Sequence, residues 1–342
     1  MPEFEQLIFT AGMSTVVLCD VILARSIINS KKIKRHKIDD IKSVEEIYRP
    51  PILDKNDYDF KFSRVLIGRF KDQVTKFRDT LEENFPPEVL GNFYKNIGTA
   101  KILIMPLKTS SGGYRIKFNT ITINKKYLDS NTIYHELFHL ASSNRRILGD
   151  LSGFYYSNLD KSIELGKGIN EGYTELLACT YFKDYGITYK FQTMVASKLN
   201  ELVGKETMER LYFTTDLRGL MEELQKYVDF EDIKGFITDL DFFTAVNGKE
   251  IKPQEKNPDE IDQMLIEKMD NVKKFLAKVY ISKNAYSNLS EEEREDDMNR
   301  FAKSMEIDVR LPNSYYIGDD MTNQTFQDKY AEVRSEGNTW GW

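Results

Sequence analysis

Hydrophobic positions change period along this chain. Phe62, Val65, Leu66, Phe70, Val74, Phe77 and Leu81 recur at spacings of three and four, which predicts an amphipathic helix over 61–83. Pro86-Pro87 ends it, and a short helix is expected over 87–97. The period then shortens. Residues 101–106 (KILIMP) are apolar and β-branched and predict a strand, Gly112-Gly113 predicts a turn, and 114–118 and 120–124 (TITIN) alternate as a hairpin or edge pair does. A helix is predicted over 130–143. Gly149, Gly153, Gly166 and Gly168 then punctuate a loop-rich stretch, with a small hairpin expected around 153–156. A second helix is predicted over 169–184. Beyond 190 the pattern is helical almost throughout: 191–203, 205–213, 216–227, 230–245, 258–282 and 289–306.

This order predicts an α+β fold, with a small sheet, two central helices and a mainly helical C-terminal half. Residues 38–60 are polar, contain Pro50-Pro51 and read as a linker. The expected core is then 61–185, followed by a helical subdomain over 186–333 and an aperiodic tail over 334–342. Residues 1–37 are an apolar segment with a basic flank. Residues 7–29 are mostly apolar, and Lys31, Lys32, Lys34, Arg35 and Lys37 follow. A buried or peripheral helix is the preferred reading. Asp20 would cost about 2.5–3.5 kcal/mol inside a membrane, and the charge-free run 7–19 is shorter than the roughly 20 residues a span needs. A secretory signal fits poorly, because Glu3 and Glu5 make the extreme N-terminus acidic. The other reading is a single membrane anchor, whose basic C-terminal flank would leave the body in the cytoplasm. Both readings give a cytoplasmic location.

Composition narrows the function classes. Hydrophobic residues make up 41% and charged residues 30% of the 342, ordinary globular proportions that exclude wholesale disorder and a multi-span membrane protein. The net charge of −6 argues against nucleic acid as a partner. With Cys19 and Cys179 as the two cysteines, neither a disulfide scaffold nor a four-thiolate zinc site is available. The chain has 3 histidines, His36, His135 and His139, and two of them fall in one short motif.

Residues 135–139 read His-Glu-Leu-Phe-His. Histidines at i and i+4 share one helix face and can offer two imidazoles to one Zn²⁺. Glu136 lies about 100° further round. There it can reach a water but not join the ligand pair, which suits a general base. Ile133, Leu137, Leu140 and Ala141 supply apolar contacts to the rest of the helix. A catalytic zinc needs a third protein ligand. His36 lies in the basic flank and reads as solvated surface, so a carboxylate is the better candidate. Glu171 and Glu175 are also i and i+4, and two acids on one buried face repel unless a cation is near. Geometry alone leaves either one as the ligand.

HELFH followed by INEGYTE resembles the gluzincins, the thermolysin-like and aminopeptidase-like zinc peptidases, over residues 101–185. The resemblance implies a zincin-like core of small mixed sheet, active-site helix and ligand helix. It implies Glu171 as the third zinc ligand, with Asn170 and Glu175 as its neighbours' partners and Glu175 orienting an imidazole. It implies metal-assisted hydrolysis of a peptide or protein substrate, with Glu136 as the base. It also implies that the strand Thr120, Ile121, Thr122, Ile123 and Asn124 forms the upper edge of the cleft and pairs with an extended substrate. The chain departs from the pattern in three ways. Thirty-one residues separate His139 from Glu171, no Gly-Ala-Met-Glu-Asn motif occurs, and no downstream histidine exists to bind the oxyanion. A tyrosine or arginine would have to take that last role.

Three other readings compete with a zinc metallopeptidase. One is a cytoplasmic regulatory protease of the repressor-cleaving type, which would also carry HExxH. The second is a zinc-stabilised binding module without turnover. The third is a non-enzymatic helical scaffold, suggested by the C-terminal half alone.

Overall fold

The computed structural model describes residues 41–108, 110–128, 132–146, 149–158, 163–183, 189–247, 258–284, 290–307, 309–310 and 316–317. All belong to one compact unit, Ile38–Trp342. The apolar segment 7–29, His36 and the tail 334–342 lie outside the described residues. Among the described residues, no helix is long and apolar enough to cross a membrane.

The helix expected over 61–83 is broken. Arg64–Ile67 makes a single turn whose Ser63 hydroxyl accepts the Leu66 N–H, and Gly68 ends it at φ +59. That backbone conformation is one that glycine adopts without strain. After a 3-10 turn the chain enters α1 (Lys71–Asn84), then α2 (Gly91–Ile97). Next come β1 (Lys101–Met105), β2 (Gly112–Arg115) and β3 (Thr120–Asn124), followed by α3 (Thr132–Ala141).

The first sheet has the order β1-β3-β2. β1 runs parallel to β3 with Lys101 opposite Thr120, and β2 runs antiparallel with Gly112 opposite Ile123. Two expectations are corrected here. Gly112-Gly113 lies within a strand, not in a turn. Thr120–Asn124 is the central strand, buried at every residue and paired on both sides. Its backbone groups are used by the ladders, so Thr120, Ile121, Thr122, Ile123 and Asn124 cannot form the edge that receives a substrate. β1 and β2 are the edge strands of this sheet.

The stretch after α3 is more ordered than its glycines suggest. It forms an antiparallel meander of β4 (Ser143–Arg146), β5 (Gly149–Ser152), β6 (Tyr155–Asn158) and β7 (Glu164–Leu165). The chain then enters two longer helices, α4 (Lys167–Phe182) and α5 (Lys190–Val203). The rest is α6 (Lys205–Phe213), α7 (Leu217–Leu224), α8 (Phe230–Asn247), α9 (Pro258–Asn284) and α10 (Glu291–Lys303), with a short β8–β9 pair (Val309–Arg310, Tyr316–Ile317). The described residues thus show a mixed α+β architecture.

One core joins these elements. Phe77 of α1 packs on Phe93 of α2, Phe138 of α3 and Phe182 of α4, and Phe138 also meets Phe213 of α6. Each buried phenyl contributes roughly 1.5–3 kcal/mol relative to exposure. The expected boundary near 185 is not a division in the fold, because α4 packs against α5 and α8 as well as α3. The expected linker is also corrected. Ile41, Val44 and Ile47 are buried in the core, Ile41 and Ile47 lining a small cavity with Leu165, Met221 and Ile237. Arg49 pairs with Asp216 and Glu222 nearby.

Candidate metal centre

α3 is buried on every side from Ile133 to Ala141. An all-round apolar environment is normal for a core helix, but this one carries His135, Glu136 and His139 into it. Its C-terminal carbonyls are satisfied. Asn96 donates to Leu140 O (2.9 Å) and Ser143 O (2.6 Å), while Ser143 and Ser152 donate to His139 O (2.5 and 3.1 Å). These bonds tie the helix end to α2 and to the β4–β5 hairpin.

α4 is set by contacts from the helical half. Its N-terminal N–H groups, at Gly166 and Gly168, donate to the Asp241 carboxylate at 2.8 and 2.7 Å. One turn on, Gly172 faces the α5 backbone so closely that a Cβ there would lie 2.2 Å from Gln192 O. Glu171 is thereby brought opposite α3.

His135 Nε2 and His139 Nε2 are 3.1 Å apart, and Glu171 Oε2 lies 3.4 and 3.5 Å from them. A tetrahedron with metal–ligand bonds of roughly 2.0–2.1 Å has edges of about 3.3–3.4 Å. The three atoms therefore make one face of a coordination tetrahedron of suitable size, and the group could hold a metal ion. Two nitrogens and one carboxylate oxygen suit zinc.

The remaining imidazole nitrogens have partners. His135 Nδ1 is 2.8 Å from Glu175 Oε2. His139 Nδ1 lies 3.2 Å from Asn170 Nδ2 and 3.4 Å from Thr174 Oγ1. A metal on Nε2 places the proton on Nδ1, and Thr174 Oγ1 is then an acceptor within reach. Asn170 turns its Oδ1 to the Phe154 N–H (3.2 Å) instead, which ties α4 to the turn between β5 and β6. Thr174 in turn meets the Tyr212 hydroxyl at 2.7 Å.

Packing so many charged groups together perturbs them. Burial pulls the His135 pKa down, but hydrogen bonds to Glu171 and Glu175 and the charge of Glu136 outweigh it and push it up to about 10. Burial pushes Glu171 up, yet the charge of His139 and hydrogen bonds from both imidazoles hold it well below the usual carboxylate range. For Glu136 burial dominates and raises the pKa, opposed by both histidines and by a hydrogen bond from the Tyr114 N–H.

Several site residues carry no clear mark in the sequence. Tyr189, just before α5, stacks on His135 with ring centroids 6.0 Å apart and an interplanar angle of 21°. The charge of Glu171, burial and the charges of Glu136 and Glu175 push the pKa of its hydroxyl up. Thr174 sits between Glu171 and Glu175, and its i−4 bond to Asn170 O (2.7 Å) gives no sequence signal of a role. Gly112 did carry a signal. A glycine inside a strand marks close backbone approach, and a Cβ there would meet Thr132 Cγ2 at 2.8 Å and Glu136 Oε1 at 3.0 Å. No family model, curated protein or solved structure matches this chain.

Proposed function

We infer that the protein is a zinc-dependent peptidase of the HExxH…NExxxE kind, with a zincin-like core formed by the β1-β3-β2 sheet, α3 and α4. The observation that carries this reading is the triangle of His135 Nε2, His139 Nε2 and Glu171 Oε2, with the Glu136 carboxylate beside it. A zinc ion held by those three atoms would supply Lewis acidity toward water and a substrate carbonyl. Glu136 takes a proton from the attacking water and returns it to the leaving amine.

β2 is the strand placed to receive an extended peptide. Asn124 N–H donates to Ser111 O at 2.8 Å, and antiparallel alternation then turns the backbone groups of Gly112 and Tyr114 away from β3. The Tyr114 N–H already reaches Glu136, so a substrate paired along β2 would present its backbone next to the base.

The test is metal analysis of the purified chain together with digestion of a peptide library. About one zinc per chain and discrete cleavage products are expected. Glu136→Gln should keep the zinc and lose the cleavage, since an amide cannot accept the proton. Undiminished cleavage by zinc-loaded Glu136→Gln would overturn the assignment.

A further inference from the structure

Residues 101–128 carry six basic side chains and no acidic one, in a chain whose net charge is −6. The three-stranded sheet gathers them at its two ends. Arg115, Thr120 and Lys101 form one row across it, and Lys117 lies in the 3-10 turn Ile116–Phe118 just before β3. At the other end Met105 is opposite Asn124. Lys108 lies shortly after β1 there, and Lys125 and Lys126 directly follow β3. All six cations are exposed.

Between these ends β1 is apolar and open. Leu103, Ile104 and Met105 are 46, 42 and 44% exposed. Successive residues of a strand point to opposite faces, so β1 meets solvent on both. The turn Arg64–Ile67 packs against β1 without covering these three residues. Phe118 at one end and Tyr127 at the other are exposed and lengthen the apolar stripe. Edge strands are normally blunted by a charge, a proline or a bulge, and residues 102–105 have no charge or proline. β1 is also the outer strand of the order β1-β3-β2. The Lys101 N–H donates to Asn119 O at 3.0 Å. The parallel ladder then uses the backbone of Leu103 and Met105 and turns that of Ile104 outward.

We propose that the β1 edge docks an extended segment of a partner protein as a fourth strand, apolar in its middle and acidic at both ends. Five residues of strand span about 17 Å, so the acids sit roughly five or six residues apart. The Ile104 backbone supplies the main-chain hydrogen bonds, Leu103, Ile104 and Met105 supply the apolar contacts, and the cations at the two ends select the acids. A second copy of this chain is a poor occupant, because pairing β1 with β1 in either direction sets like charges against each other. The surface lies across β3 from β2 and does not depend on the peptidase reading.

Random dodecapeptides displayed on phage, selected on the full-length chain, are the probe. Enriched sequences should carry Asp or Glu on both sides of an apolar, β-branched centre. A labelled peptide from the enriched pool should bind more weakly as salt rises from about 0.05 to 0.5 M. Lys125→Glu combined with Lys126→Glu should weaken it by about tenfold. Ile104→Pro removes the outward N–H while leaving the β3 ladder intact, and should abolish binding. Should that variant melt early, the charge reversals on the exposed surface still decide. An enriched pool without acids, or one bound equally well by the charge-reversed variant, would overturn the proposal. So would a failure to enrich any peptide. Wild-type binding to phosphatidylserine vesicles that the charge reversals remove, with no peptide enriched, would make the patch a lipid-binding surface instead. A dimer in sedimentation that Ile104→Pro dissociates would make it a contact between copies.

Discussion

The two helices that carry the site are held in different ways. α3 brings two ligands, and the helix itself sets their spacing, because residues i and i+4 lie about one turn apart. Its surroundings come in large part from the chain just before and after it, α1, α2, the sheet and the β4–β5 hairpin, with α4 and Phe213 of α6 closing the rest. α4 brings one ligand, and nothing local fixes where that ligand points. Its position depends on Asp241 of α8 and on the α5 backbone at Gln192, which lie 73 and 20 residues beyond the groups they touch. Two ligands are thus local geometry, and the third is a product of the tertiary fold. The helical C-terminal half supports the candidate metal site through α4.

The largest expected effects come from the ligands themselves. His139→Ala and Glu171→Ala should each abolish tight zinc binding, because two protein ligands rarely hold zinc tightly. Glu175→Ala removes only the carboxylate on His135 Nδ1 and should weaken zinc by roughly 10–100-fold. Chelator competition on the three variants ranks them. Stoichiometric zinc in Glu171→Ala beside an apo Glu175→Ala would reverse the roles of the two acids.

Next in size is Gly172→Ala, which attacks α4 without touching a ligand. The new Cβ would lie 2.2 Å from Gln192 O, backbone that has to move. Overpacking costs typically 1–3 kcal/mol, with about 2–4 °C of melting temperature per kcal/mol in a chain of this order. Zinc affinity should fall along with the melting temperature. Gly113→Ala is the control, since a Cβ there meets nothing within 4 Å. Thermal melts of the zinc-loaded variants check this. A stable Gly172→Ala with full zinc affinity would show that Glu171 does not depend on the α4–α5 contact.

The same division explains what could be read from the sequence. His135, Glu136 and His139 were legible because i, i+4 spacing is a helical property carried by five residues. The helices from α5 to α9 were legible because each buries a stripe with a repeating period. β4 to β7 were not. Their strands are 2–4 residues long and mostly polar, with Leu151, Tyr155, Tyr156 and Leu165 scattered among Ser, Asn, Asp, Arg, Glu and Gly, so no alternation has room to appear. The edge role was given to β3 because TITIN alternates as a half-exposed strand does and because the resemblance puts the substrate-pairing strand just before the active-site helix. The burial of β3 at every position marks the opposite, a strand in the middle of its sheet. Tyr189 and Asp241 were invisible for one reason: each reaches the site through packing between helices far apart in sequence.

The remaining expected effect is a change of stability with pH, and it concerns Asp241 at the N-terminus of α4. Burial pushes its pKa up to about 7, against hydrogen bonds from Gly168 and Gly166 and the charge of Lys167, while Glu164 raises it further. A folded pKa above the unfolded value of 3.8 means the folded state holds the proton more tightly. Its contribution to stability is then complete below about pH 4 and is lost as pH rises through about 7. Asp241→Asn cannot titrate. It also keeps at best one of the two hydrogen bonds to Gly166 and Gly168, a loss of about 1 kcal/mol. Every other titrating group cancels in the difference between the two proteins. Melting curves of both, between pH 4 and 8, should show the wild-type advantage shrinking as pH rises. An advantage that grows with pH would mean that the two backbone N–H groups prefer the anion strongly enough to outweigh burial. α4 would then be anchored by a charge at its N-terminus, as helix-end electrostatics alone would have it.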